Sequence, residues 1–313
     1  MHRILRLPLS AAALLLASST LVACGGSDGD PLSSGSDGGS SSSSDTITIG
    51  SANFPESELL ADIYAGALKA AGVKVETKLN IGSREVYYQA FEDGSINLLP
   101  EYNGALLAYL MPDGTPEGVS STETVDAQLA KVLPEGSEIL DSAEAQDVDT
   151  ITVTKETADK YDLTTIADLK PVAGKLTIGG PPEWKTRQQG LLGLKSIYGV
   201  EFGTFKSLDA GGPLTIEALK NGDIDAADVF STDSSIVAND WVSLEDTESL
   251  FLAENVVPFI KSDVATDEVK EALNAVSAAL TTEKLAAAVA EVQVDKKDPV
   301  TVAAEFLSDN DLD

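Results

Sequence analysis

A short extended run followed by a helical one recurs along this chain, stops at a polar stretch and then resumes. Thr46-Ile47-Thr48-Ile49-Gly50 alternates with period two and predicts a strand, after which Leu59, Leu60, Ile63, Tyr64, Ala67 and Leu68 recur at helical spacing. Lys74 to Leu79 and Ile96 to Leu99 read as further strands, Arg84 to Phe91 and Glu101 to Leu110 as helices. The pattern restarts with strands at Thr150 to Thr154, Lys175 to Ile178 and Asp225 to Phe230. Between them come a helical turn at Thr157 to Tyr161, a helix running through Leu194 and Ile197, and another at Leu214 to Asn221. Two alanine-rich helices, Asp267 to Leu280 and Thr282 to Val292, follow. Such alternation predicts an α/β fold with a largely parallel sheet, whose ligands sit outside the carboxyl ends of the strands. Two consecutive patterns suggest two lobes with a cleft between them, a layout that enzymes also use.

The first 44 residues are of another kind. Arg3 and Arg6 precede an apolar run from Leu7 to Val22, which is too short and too rich in serine for a membrane span. Leu21-Val22-Ala23-Cys24-Gly25 has the form of a lipobox, so residues 1–23 are expected to be a cleaved lipoprotein signal peptide and Cys24 the lipidated first residue. Lipid-modified Cys24 would hold the protein outside the cytoplasm on the cell membrane; two or three acyl chains hold where one is marginal. Residues 24–44 are nearly all Gly, Ser and Asp after the cysteine, a composition that cannot fold, and predict a tether with a reach of roughly 25 Å.

Composition removes whole classes of chemistry. Cys24 is the only cysteine and His2, inside the leader, the only histidine. The mature chain therefore has no Ser-His-Asp or Cys-His catalysis, no disulfide and none of the usual zinc sites, and no cofactor is expected. Paired carboxylates remain available to an exported hydrolase. The formal charge of −30, two units more negative once Arg3 and Arg6 are gone, argues against nucleic acid as a partner and suits a solvated surface.

Polar-aromatic loops fall at the predicted strand ends: 50–55, 100–104 and 230–233, with a fourth at 179–187 that carries Trp184 and Arg187. In a chain that is 5% aromatic such rings are conspicuous, although a loop aromatic more often packs than binds. GSANFPESELLADIYAGAL at 50–68, LPEYNGALLAYL at 99–110, YGVEF at 198–202, LDAGGPLTIEALKNGDIDAADVFSTD at 208–233, ENVVPFI at 254–260 and VAAEFL at 302–307 occur in order. Together they resemble the substrate-binding lipoproteins of glycine betaine, choline and carnitine ABC importers, over essentially all of 45–313.

That resemblance implies a two-lobed type II periplasmic-binding-protein fold, with residues 45–149 plus 254–313 as lobe 1, residues 150–253 as lobe 2, and a ligand cleft between them. It implies no enzyme but a monomeric receptor that captures a quaternary ammonium solute and passes it to a permease with a cytoplasmic ATPase. A trimethylammonium group has no N–H to donate and is best held by ring faces, while a ligand carboxylate wants an Arg fork or helix N-terminal amides. Matching positions are Tyr102 and Phe230 for rings and Arg187 for the carboxylate, with Asn53 and Phe54 in the first loop and Thr232 and Asp233 in the last. Tyr87 stands where the second loop enters its helix, and Trp184 could replace a missing ring. Departures from the family are Ala52, Ser57, Ala105, Asp149 and Ile216, the last two where a full cage has tyrosine. Asp149 either reaches the cleft and pairs with a cation, favouring choline-like ligands, or is a solvated hinge residue. The same scaffold with another small polar ligand, and a surface lipoprotein without transport, are the alternatives.

Overall fold

A computed structural model describes residues 46–116 and 118–313. The predicted signal peptide, the tether and Cys24 lie outside the described residues. Strand β1 (Thr46–Gly50) leads into α1 (Pro55–Ala70), β2 (Lys74–Lys78), α2 (Arg84–Glu92), β3 (Leu98–Tyr102), α3 (Asn103–Leu110) and β4 (Ser137–Ile139). A second run supplies β5 (Asp149–Val153), β6 (Thr177–Gly180), β7 (Thr204–Ser207), β8 (Ala226–Phe230) and β9 (Val242–Ser243), and β10 (Val256–Lys261) returns to the first sheet. The sheet orders are β2-β1-β3-β10-β4 and β7-β6-β8-β5-β9. In each, the early strands pair in parallel and one strand, β10 or β5, runs antiparallel to its neighbours. Both sheets lie within one compact unit, Ser42–Asp313, and give the two-sheet α/β architecture that the resemblance implies.

The elements form where local chemistry supports them. Ile47 and Ile49 point inward from β1, and α1 starts at Pro55 with Glu56 and Glu58 in its first turn, where the helix dipole favours acids. Its apolar stripe, Leu59, Leu60, Ile63, Tyr64 and Leu68, is fully buried against the first sheet and the C-terminal helices Asp267–Ala279 and Pro299–Asp309. Each such aliphatic side chain contributes about 1.5–3 kcal/mol by leaving water. Trp184, Leu194, Ile178 and Ile151 anchor the core under the second sheet.

The chain crosses between the sheets twice, before β5 and after β9, and the crossings lie side by side: Gln146 bridges Asn255 antiparallel, and the Asp147 N–H donates to the Glu254 carbonyl at 3.1 Å. Gly104 lets the second crossing lie against α3, since a Cβ there would lie 2.4 Å from the Ala253 carbonyl oxygen. Among the described residues no helix is long and apolar enough to cross a membrane.

Two expectations shift. The strand expected at Ile96 to Leu99 continues through Pro100 to Tyr102, so Glu101 and Tyr102 belong to β3 and the helix begins at Asn103. The polar stretch between the two patterns contains a helix, Thr122–Val132, whose Ser121 cap and buried Val125 and Leu129 dock it on the first lobe.

Candidate functional site

The strand ends of the two sheets face each other across a cavity of about 60 Å³. Its rings are Phe54 from the β1–α1 loop, Tyr87 from α2, Tyr102 at the end of β3 and Phe230 at the end of β8. Phe54 bridges the sheets, with its centroid 6.2 Å from Tyr102 and 5.1 Å from Phe230. The loop carrying Phe54 is pinned by the Ala52 N–H to Ser57 Oγ bond, 2.9 Å, and by the Asn80 N–H to Ser51 Oγ bond, 2.8 Å. Gly211, in the left-handed region at φ +58°, leaves room for Phe230: a Cβ there would sit 2.8 Å from its ring.

Two guanidinium forks reach the cavity, and both are occupied. Arg84 donates through Nε and Nη2 to Glu101 at 3.1 and 3.0 Å, and the same buried carboxylate accepts from the Tyr87 hydroxyl, 2.7 Å, and the Tyr102 N–H, 3.0 Å. Arg187 donates through Nε and Nη2 to Glu85 at 3.0 and 2.9 Å, joining the second sheet's side of the cleft to α2. Burial alone would raise the Glu85 carboxyl, but the hydrogen bonds and charge of Arg187 outweigh it and bring it down to about 2. Outside this pair lies a larger pocket of about 350 Å³ that shares Arg84, Ala105 and Arg187 with the cavity, so the Arg187–Glu85 pair stands between inner and outer space.

Carboxyls without a cation of their own make up much of the remaining wall: Asp147, Asp149, Asp228 and Glu254. Burial pushes Asp147, Asp228 and Glu254 well above the ordinary carboxylate range, and Asp149 upward as well. Behind the rings, the Thr232 hydroxyl lies 2.7 Å from Glu56 Oε2 and 2.9 Å from Asp147 Oδ1, while the Tyr102 hydroxyl donates to Glu56 Oε1 at 2.6 Å. One hydroxyl proton cannot serve two carboxylates, so one of the two acids carries a proton itself; burial raises both.

Of the residues expected at the site, Asn53, Phe54, Tyr87, Tyr102, Asp149, Arg187 and Phe230 line the cavity. Thr232 and Asp233 do not: Thr232 ties Glu56 to Asp147, and Asp233 caps the short helix at Ser234–Ala238, both facing a narrow slot behind Phe54 and Phe230. Trp184 is not brought to the cleft; at 1% exposure it belongs to the core under the second sheet, because its 3-10 turn points it beneath β6. Arg187 reaches the cleft, but the fork expected to meet a ligand carboxylate is held by Glu85. Ile216 packs with Leu219 and Val229 away from the cavity, whereas Ala52 and Ala105 line it. Arg84, Asp147, Asp228 and Glu254 line it without having been expected there, and Glu101 holds Arg84 from behind. Asp228 alone carried a signal, an acid amid the apolar run Ala226-Ala227-Asp228-Val229-Phe230.

Residues 45–309 match the family model described as the substrate binding domain of an ABC-type glycine betaine transport system. The carnitine transport binding protein OpuCC of Listeria monocytogenes serotype 1/2a (strain 10403S) is 29% identical over 278 residues, 85% of this chain and 87% of that protein. The glycine betaine-binding protein YehZ of Escherichia coli (strain K12) is 24% identical over 277 residues, 83% of this chain and 89% of that protein. A crystal structure of a glycine betaine/carnitine/choline ABC transporter has a TM-score of 0.66 at 25% identity, covering 85% of this chain and 99% of that one. The family match runs through every strand of both sheets, and the chain therefore belongs to the family of substrate-binding domains of ABC-type glycine betaine transport systems.

Proposed function

We propose that this chain captures a quaternary ammonium compatible solute, of the glycine betaine, proline betaine, carnitine or choline type, and delivers it to an importer's permease and ATPase. The observation that carries this reading is the ring set: Phe54 and Tyr102 from the first sheet's side and Phe230 from the second meet around one small cavity rich in carboxyls. Ring faces attract a cation that has no N–H to donate, each contact contributing roughly 0.5–2 kcal/mol as water leaves. No covalent step is part of the proposal.

Because the rings come from both sides, the ligand stabilises the closed arrangement more than the open one, and closure follows as a population shift. We take 45–149 with 254–313 and 150–253 as the moving bodies, hinged at the paired crossings near Asp147 and Glu254. Arg187 and Glu85 act as a latch over the closed cavity. Binding proteins of ABC importers work outside the cytoplasm, and a lipid on Cys24 with a tether of roughly 25 Å would keep a monomeric trap within reach of its permease.

A thermal-shift panel of glycine betaine, proline betaine, carnitine, choline and ectoine on the full chain tests this. A ligand at a hundredfold its Kd adds about 2.7 kcal/mol of stability, and at least one quaternary amine should raise Tm accordingly. No shift with any of them at millimolar concentration contradicts the reading.

A further inference from the structure

Asp149 opens β5 and Asp228 lies within β8, and the register sets Asp149 opposite Phe230 and Asp228 opposite Ile151. The two acids are thus diagonal neighbours on one face of the sheet, and their carboxyls are within hydrogen-bonding reach of each other. Both line the inner cavity. Asp228 is 2% exposed, and among the described residues its Oδ1 accepts from no N–H or O–H donor. Gly180 leaves the space beside it: a Cβ at that position would meet Asp228 Cβ at 3.2 Å and Oδ2 at 3.7 Å.

Every charged group facing this pair has a partner or the wrong sign. Arg84, from α2, is held by Glu101, and Arg187, from the loop after β6, is held by Glu85 with Glu183 at 3.9 Å. Glu254, at the hinge, accepts from Gln189 and is an acid itself; Asp147, on the other crossing, is bound to Thr232. Tyr87 spends its hydroxyl proton on Glu101. A ligand carboxylate entering here finds, among the described residues, no free fork and four acids. A cation finds an unpaired carboxylate oxygen.

We propose that the Asp149–Asp228 pair is the specificity-determining element of the cleft: it selects a monocation without a carboxylate, such as a quaternary amino alcohol, over a zwitterion, and gives up a shared proton as the cation enters. Two carboxyls this close share one proton when no cation is present, carrying one negative charge between them. Burial first, then the neighbouring acid, raises Asp228, in keeping with a held proton. When the cation binds, that proton goes to solvent and the two carboxylates face one positive charge, so the net charge of the cleft is unchanged. The proposal rests on the quaternary ammonium reading above and narrows it.

Isothermal titration of choline and glycine betaine into the full chain from pH 5.5 to 8.5, repeated in buffers of different ionisation enthalpy, tests it. Choline should bind more than about tenfold tighter than glycine betaine, release up to one proton, and gain up to about tenfold in affinity per pH unit while the pair still holds its proton. Asp228→Asn should remove the pH slope and weaken choline at least about tenfold without weakening glycine betaine. If that variant does not fold, Asp149→Asn, at the more open end of the pair, gives the same reading. Glycine betaine binding as tightly as choline, or choline binding that is flat with pH and releases no proton, overturns the proposal and leaves the transport reading intact. Binding of neither ligand, with carnitine or proline betaine bound instead, also overturns it alone; silence from all four overturns both.

Discussion

Arg84–Glu101 and Arg187–Glu85 have the same bidentate geometry, with all four donor distances between 2.9 and 3.1 Å, yet they serve different ends. The first lies within one lobe, with side-chain exposures of 10% and 0%, and its carboxylate also takes the Tyr87 hydroxyl and the Tyr102 N–H. It fixes two rings of the cleft. The second spans the cleft, with exposures of 23% and 41%, and water competes for it. A buried pair is costly to break because one charge is stranded, whereas an exposed pair contributes little to stability but can bias an equilibrium between open and closed forms.

The contrast breaks most visibly at Arg84. Arg84→Met leaves Glu101 buried and uncompensated, and should cost about 3–5 kcal/mol in denaturant unfolding. Tyr102→Ala, which removes a ring and a partner of Glu56, should weaken the bound solute by about thirtyfold, as titration would read, with a smaller change in Tm. Glu85→Gln should leave unfolding within about 1 kcal/mol of the parent and weaken the ligand only about two- to fivefold, through a faster off-rate. Equal losses of stability at Arg84 and Glu85 would erase the distinction.

The pH responses should differ in sign. Glu85 is lowered in the folded protein, so its contribution is present above its ordinary value of 4.5 and is lost as pH falls toward about 2. Glu56 and Asp147 are raised by burial, so their contribution is full at or below the ordinary carboxylate values and is lost as pH rises through their folded ones. Unfolding of the parent and of Glu56→Gln across pH 4 to 8 should therefore diverge, with the variant the less pH-sensitive of the two.

Strand and helix alternation made the α/β class legible; α2 begins at the expected Arg84, and α1 carries the expected apolar stripe from Leu59 to Leu68 but starts at Pro55, the last residue of the predicted loop. What stayed hidden has a common cause in β3 and β10. Pro100 and Pro258 interrupt the strand pattern, and the sequence reads as a strand only to Leu99 and gives none at Val256–Lys261. In the sheet, Pro100 and Pro258 sit opposite each other, and the Pro258 carbonyl accepts from the Leu140 N–H just past the end of β4, where the missing proline donor leaves no gap in the ladder. Extending β3 by those residues is what delivers Tyr102 to the cleft and sets Glu101 behind it, where it holds Arg84 and Tyr87. Tyr102 and Phe230, which the family resemblance implies, line the cavity, whereas Trp184, just as conspicuous by composition, packs in the core. Partnerships such as Arg187 with Glu85, 102 residues apart, depend on the closed arrangement of the two sheets, which local pattern does not encode.

The central claim is that a quaternary ammonium group sits among Phe54, Tyr102 and Phe230 at the junction of the two sheets. A crystal structure of the chain with the ligand that gives the largest thermal shift tests this directly. The account predicts the nitrogen within about 6 Å of at least two of those ring centroids, one from each side of the cleft. A ligand seated outside the cavity, or touching rings from one side alone, would contradict it.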